Sequence, residues 1–152
     1  MRATDTKVWW TGTRPEGILP GKGESNMQSS SLRNLVSVVD DDESIRESLP
    51  DLLAQFGYTV QAFQSAQEFL ASGSVGQTRC LILDVAMPGM TGPDLQRELA
   101  RLGEPIAIVF ITAHSDENTR TRVMAEGAVD YLMKPFSEAE LLGALDAGFR
   151  KP

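Results

Sequence analysis

One cysteine and one histidine in 152 residues leave little room for disulfide or zinc chemistry. Cys80 has no partner for an internal bridge and lies inside an apolar run, so it reads as a small core residue in a reducing compartment. With no His or Cys cluster, a zinc centre is excluded. Long hydrophobic runs are missing too: no stretch reaches the roughly 18 apolar residues that a membrane span needs. Trp9 and Trp10 stand near the start, but no continuous apolar segment surrounds them, and a signal peptide is not indicated. Basic charge is scarce as well. Against 21 Asp and Glu stand 14 Lys and Arg, a net charge of −7, which argues against a nucleic-acid partner because phosphate contacts need concentrated Lys and Arg. Residues 1–34 hold five basic and three acidic residues, which leaves the remainder at −9. A cytoplasmic protein with an acidic folded part, no membrane contact and no direct nucleic-acid contact is the expectation.

What is present is an ordinary globular composition, 41% hydrophobic and 23% charged, on a length that fits one domain with an extra segment at one end. Residues 1–33 are rich in Thr, Gly, Pro and Ser and lack apolar periodicity, so they read as a disordered or loosely attached extension ahead of a domain at 34–152. Met27 offers an alternative translation start, which would make the first 26 residues an artefact of start-site choice. Gly17–Gly23 does not qualify as a phosphate loop, because its glycines are too close and Gly23 follows Lys22 where Ser or Thr should stand.

From Leu35 onward, strand and helix patterns alternate. Strands are predicted at Leu35–Val39, Thr59–Phe63, Arg79–Asp84, Ala107–Ile111 and Val129–Met133, with helices near Glu43–Phe56, Ala66–Ser72, Pro93–Leu102, Asp116–Glu126 and Glu138–Phe149. Asp42 or Glu43, Ser65, Ser115 and Ser137 stand where helices should be capped, and Gly57, Gly103 and Gly127 where they should stop. Pro50 falls inside the first helical pattern and predicts a kink or a local break there. Met87, Met90 and Met124 read as loop and core packing. Continuous hydrophobicity in strands one, three and four marks a parallel sheet covered on both faces. The class is α/β, a doubly wound domain whose ligands bind beyond the carboxyl ends of the strands.

The acids stand at those ends. Val36–Val39 runs into Asp40-Asp41-Asp42, Cys80–Leu83 into Asp84, Ile106–Ile111 into Thr112, and Val129–Met133 into Lys134. Carboxylates crowded at one sheet edge repel unless a cation neutralises them, and a hard divalent ion with oxygen ligands, Mg²⁺, fits best. A carboxylate beside Mg²⁺, a lysine and a hydroxyl suits phosphoryl transfer through an aspartyl phosphate. In that reading Asp84 is the acceptor, Asp41 a direct metal ligand and Asp40 a ligand through water. The backbone carbonyl of Ala86 supplies a further oxygen, and Lys134 and Thr112 meet the phosphoryl oxygens. His114, the lone histidine, reads as an exposed loop residue.

Val39-Asp40-Asp41-Asp42, the segment Leu83–Gly92, Ile111-Thr112-Ala113-His114 and Lys134-Pro135-Phe136 together resemble the receiver domain of two-component response regulators. The Thr-Ala-His and Lys-Pro-Phe wording is most similar to the FixJ-type branch, and the match runs from about Leu35 to Phe149. The resemblance implies a flavodoxin-like (βα)5 sandwich with a five-stranded parallel sheet of order 2-1-3-4-5. It implies Mg²⁺-dependent transfer from the phosphohistidine of a sensor histidine kinase to Asp84. It also implies a switch pair, Thr112 and Tyr131: the hydroxyl turns toward the phosphate while the ring moves inward. The face formed by helix four, strand five and helix five then meets a downstream protein or a second copy of the chain. A cis Lys134-Pro135 bond follows from the same resemblance.

The FixJ-type pattern continues into a helix-turn-helix domain, and because this chain stops at Pro152 DNA binding is not carried over. A rival reading, a Mg²⁺-dependent phosphatase or phosphotransferase, needs a second aspartate two residues past the nucleophile, where Ala86 stands. A pseudo-receiver that never takes phosphate conflicts with the complete acid pocket. The expectation is therefore a signalling switch and not an enzyme.

Overall fold

Short apolar runs bounded by turn formers become strands, and the amphipathic stretches between them become helices. The computed structural model describes residues 34–114 and 116–151. In chain order the elements are β1 (Leu35–Val39), α1 (Glu43–Ala54), β2 (Thr59–Phe63), α2 (Ala66–Ala71), a 3-10 turn (Val75–Gln77), β3 (Thr78–Asp84), α3 (Gly92–Leu102), β4 (Ala107–Thr112), α4 (Glu117–Ala125), β5 (Asp130–Met133) and α5 (Glu138–Arg150). The expected extension over 1–33 and the expected cap Ser115 lie outside the described residues. All strand pairs are parallel and the order is β2-β1-β3-β4-β5, the one the resemblance implies.

Local chemistry sets the helix starts. Asp42 caps α1 by accepting from the Ser44 N–H, and Ser65 caps α2 by accepting from Glu68. Thr91 with Asp94, and Ser137 with Glu140, form reciprocal capping boxes at α3 and α5. The cap of α4 is Asp116, which accepts from Asn118.

The continuous apolar runs resolve into two faces of period two. Val36, Val38, Cys80, Ile82, Val109 and Ile111 pack against Leu49 and Leu53 of α1 and Leu141 and Leu145 of α5. Leu81, Leu83, Ile108 and Phe110 face the other way, onto Phe69 of α2, Leu95 and Leu99 of α3 and Val123 of α4. Ser37 interrupts β1 with a buried hydroxyl, which sits 2.8 Å from the Thr78 hydroxyl; Thr78 in turn donates to the Ser74 carbonyl at 2.8 Å.

Of the kink or local break expected at Pro50, the break does not occur: α1 runs unbroken from Glu43 to Ala54. Pro50 gives up one backbone bond at a cost of about 3 kcal/mol, whereas burying Ile45, Leu49, Leu52 and Leu53 against the sheet is worth about 1.5–3 kcal/mol for each side chain. Met124 is not core packing: it is 37% exposed, since the polar sequence of α4 turns only Val123 fully inward.

α3 begins under the end of β3, and only glycine fits there. A Cβ at Gly92 would overlap the Asp84 carbonyl oxygen and lie 3.0 Å from the Phe110 ring. Gly143, inside α5, has open space around its missing Cβ. The same substitution therefore has opposite signs. Gly92→Ala lowers stability by about 1–3 kcal/mol through overpacking, and Gly143→Ala raises it by about 0.5–1 kcal/mol through backbone entropy. Urea unfolding curves of the two variants check both.

Candidate functional site

Parallel strands deliver their carboxyl ends to one edge of the sheet, and the residue just past each apolar run stands in the crevice there. Asp40 follows β1 and is fully buried, Asp84 closes β3 at 5% exposure, and Thr112 closes β4 at 3%. Lys134 follows β5 at the cis Lys134-Pro135 bond. The Lys134 ammonium lies 2.9 Å from Asp40 Oδ2, 3.7 Å from Asp84 Oδ1 and 4.0 Å from Asp42 Oδ2. Asp41 is exposed, yet one oxygen from each of Asp40, Asp41 and Asp84 falls within 4.8 Å of the others. Ala86 lies in the exposed loop just beyond Asp84.

Asp40 is hydrogen-bonded except at Oδ2, a buried oxygen held by ion pairing alone. Its N–H donates to the Phe63 carbonyl at 3.1 Å, its Oδ1 accepts from the Asp42 N–H at 2.8 Å, its carbonyl accepts from Arg46 Nη1 at 3.1 Å, and its Oδ2 meets Lys134. The electrostatics are lopsided. Burial pushes the Asp84 carboxyl up to about 7, with the Asp40 charge adding to the rise and Lys134 opposing it. Burial also raises Asp40, against Lys134 and the hydrogen bond from the Asp42 N–H. Lys134 is pulled down by burial, but the close contact and charge of Asp40, with Asp84 and Asp42 behind, leave it above its ordinary value. A single ammonium does not neutralise two buried carboxylates and their exposed neighbours. An all-oxygen, carboxylate-rich donor set of this kind fits a hard divalent cation such as Mg²⁺.

Thr112 and Tyr131 stand differently. The Thr112 hydroxyl donates to the His114 carbonyl at 3.0 Å and accepts from the His114 N–H at 3.1 Å, so it is turned to its own loop. The Tyr131 ring is buried at 6% exposure, with the Arg120 guanidinium 5.8 Å from its centre. Its hydroxyl has no hydrogen-bond partner among the described residues. His114 is exposed in the loop, and Cys80 is a buried core thiol that burial pushes up to about 12.

Sequence reasoning missed two residues here. Gly92 lets α3 pass against the end of β3, and its signal was the Thr91-Gly92-Pro93 helix start. Arg46 reaches back to the Asp40 carbonyl from the first turns of α1, which no sequence pattern announces.

The raised Asp84 carboxyl makes a pH prediction. The folded state holds a proton on Asp84 up to about pH 7, whereas an ordinary aspartate releases it near 3.8. Folding therefore loses stability as pH rises through that interval, and the penalty is complete above it. Asp84→Asn should melt higher than wild type at pH 8 in chelator, by about 4 °C for each kcal/mol relieved. The gap should shrink toward pH 4. Thermal melts across that range check it.

Residues 36–146 match the response regulator receiver domain. Nodulation protein W of Bradyrhizobium diazoefficiens is 47% identical over 131 residues, covering 86% of this chain and 58% of that protein. The response regulator protein TodT of Pseudomonas putida is 40% identical over 136 residues, covering 88% and 60%. The chain thus spans about three-fifths of the length of these relatives. Among solved structures, the FixJ-N crystal structure superposes with a TM-score of 0.70 at 35% identity, covering 78% of this chain and 94% of that one. The response regulator StyR gives 0.71 at 46% identity, covering 76% and 59%. Sheet order, strand-end acids and these likenesses agree, and the chain belongs to the response regulator receiver domains of two-component systems.

Proposed function

We propose that this chain is a phosphorylatable switch in which Asp84 accepts a phosphoryl group from the phosphohistidine of a sensor histidine kinase. The carrying observation is the convergence of Lys134 on both Asp40 and Asp84, at 2.9 and 3.7 Å, at the mouth of the sheet. An Asp84 oxygen attacks phosphorus; the P–O bond forms as the P–N bond breaks, and the imidazole nitrogen keeps the electron pair. Asp40, Asp41, Asp84 and the Ala86 carbonyl would hold Mg²⁺, which when bound offsets charge on the phosphoryl oxygens and favours ionised Asp84. Lys134 pairs with one of those oxygens. Thr112 gives up its bonds to His114 to meet another.

The new charge, about −1.5 to −2, then biases the Thr112 and Tyr131 pair. Through it the face of α4, β5 and α5 changes for a downstream protein or a second copy of the chain. Receiver domains are signalling switches and not conventional enzymes. Ala86, standing where a hydrolytic aspartate would be required, supports that assignment over a phosphatase. No helix among the described residues is long and apolar enough to cross a membrane. The match covers 53–54% of relatives named as transcriptional regulatory proteins, and nucleic-acid binding forms no part of this proposal.

Incubation with Mg²⁺ and acetyl phosphate should add one phosphoryl group to the wild type by intact mass, and none to Asp84→Asn. Lys134→Ala should slow the reaction by about 10²-fold, the scale for losing one donor to a developing charge. A folded wild type that takes no adduct would sink the acceptor reading.

A further inference from the structure

The loop Asp40-Asp41-Asp42 carries two of the proposed cation ligands, and one residue outside it grips both of its ends. The Arg46 backbone N–H makes the regular first helical bond to the Asp42 carbonyl at 3.2 Å, and its side chain adds the distinctive one, Nη1 donating to the Asp40 carbonyl at 3.1 Å. The sheet explains why the second bond matters. β1 ends at Val39, and the Asp40 N–H still pairs with Phe63 at the end of β2. The Asp40 carbonyl lies past the last residue of the ladder, and a side chain from the helix takes the place of a strand donor there. A half-buried guanidinium is suited to this because its planar fork loses little freedom on bonding and it stays charged.

From this bracketing we infer that Arg46 is a positioning residue for the cation site: it fixes the carbonyl of Asp40, and through it the direction of the Asp40 and Asp41 carboxylates. The inference rests on the reading of Asp40, Asp41 and Asp84 as the Mg²⁺ site. It has a physical rival with the opposite sign. As a cation beside a carboxylate cluster, Arg46 also repels Mg²⁺, so if charge alone mattered its removal would tighten binding. If the tether matters, removal loosens binding, because groups that orient ligands are worth about 10- to 100-fold in metal affinity.

The test is the Mg²⁺ concentration at the midpoint of the thermal stabilisation produced by MgCl₂, measured on the whole, unphosphorylated chain. The Mg²⁺ midpoint for acetyl phosphate labelling is followed in parallel, separately from the labelling rate at saturating Mg²⁺. Arg46→Met should raise both midpoints about tenfold with a smaller change in the saturated rate, and Arg46→Lys, which keeps a donor and the charge, should recover part of the loss. Arg46→Gln removes the same charge and reach, and takes the place of Arg46→Met if that variant does not fold. A midpoint equal to or lower than that of wild type in the uncharged variant would overturn the inference. A wild type that Mg²⁺ neither stabilises nor primes for labelling would instead overturn the metal reading itself.

Discussion

Two buried carboxylates share one ammonium, and that imbalance is the constraint on which the site depends. Asp40 and Asp84 leave neighbouring strands, both buried, and Lys134 contacts each from a third direction. In water such a group would disperse. Here the strand ends hold it together, so the electrostatic cost appears as raised carboxyl protonation instead of separation. The imbalance leaves the strand ends short of positive charge, which is the electrostatic condition for taking up a cation.

The rest of the fold holds that arrangement in place. Two apolar layers clamp the sheet so firmly that β1, β3 and β4 are buried nearly throughout, which fixes the height at which each apolar run stops. Register then decides which side chains meet. Leu83 pairs with Val39 and Phe110, so Asp40 and Asp84 emerge one step later on adjacent strands. The residues that complete the rim act on backbone rather than on side chains. Gly92 leaves room for the Asp84 carbonyl, and Arg46 takes hold of the Asp40 carbonyl.

Most of the strands and the place of the acids were legible in the sequence because both depend on local pattern. An uninterrupted apolar run followed by an acid says both that a strand is covered on two faces and where it opens to solvent. Asp42, Ser65 and Ser137 were readable as caps for the same reason, whereas the cap of α4 falls at Asp116. What was not legible depends on distance in space. Pro50 reads as a breaker until the four buried side chains around it are counted, and Met124 reads as core until α4 is seen to turn Val123 inward. Arg46 is six residues from Asp40 along the chain, and only the return of α1 over the strand end brings its guanidinium to that carbonyl. The order of the strands came from resemblance, since periodicity carries no information about which strand lies beside which.

α4 is attached differently from the other helices beside the sheet. Val123 is its one buried residue, while α1 buries four side chains. Much of what fixes α4 is polar: Gln96 Nε2 of α3 donates to the Val123 carbonyl at 3.0 Å, and Arg97 of α3 lies 3.7 Å from Glu126. The second contact is exposed and worth little. Arg120 extends from α4 over the Tyr131 ring on β5, and Tyr131 keeps a buried hydroxyl with no hydrogen-bond partner among the described residues. By burial, α4 is thus lightly held against the sheet, whereas α1 is anchored by four buried side chains.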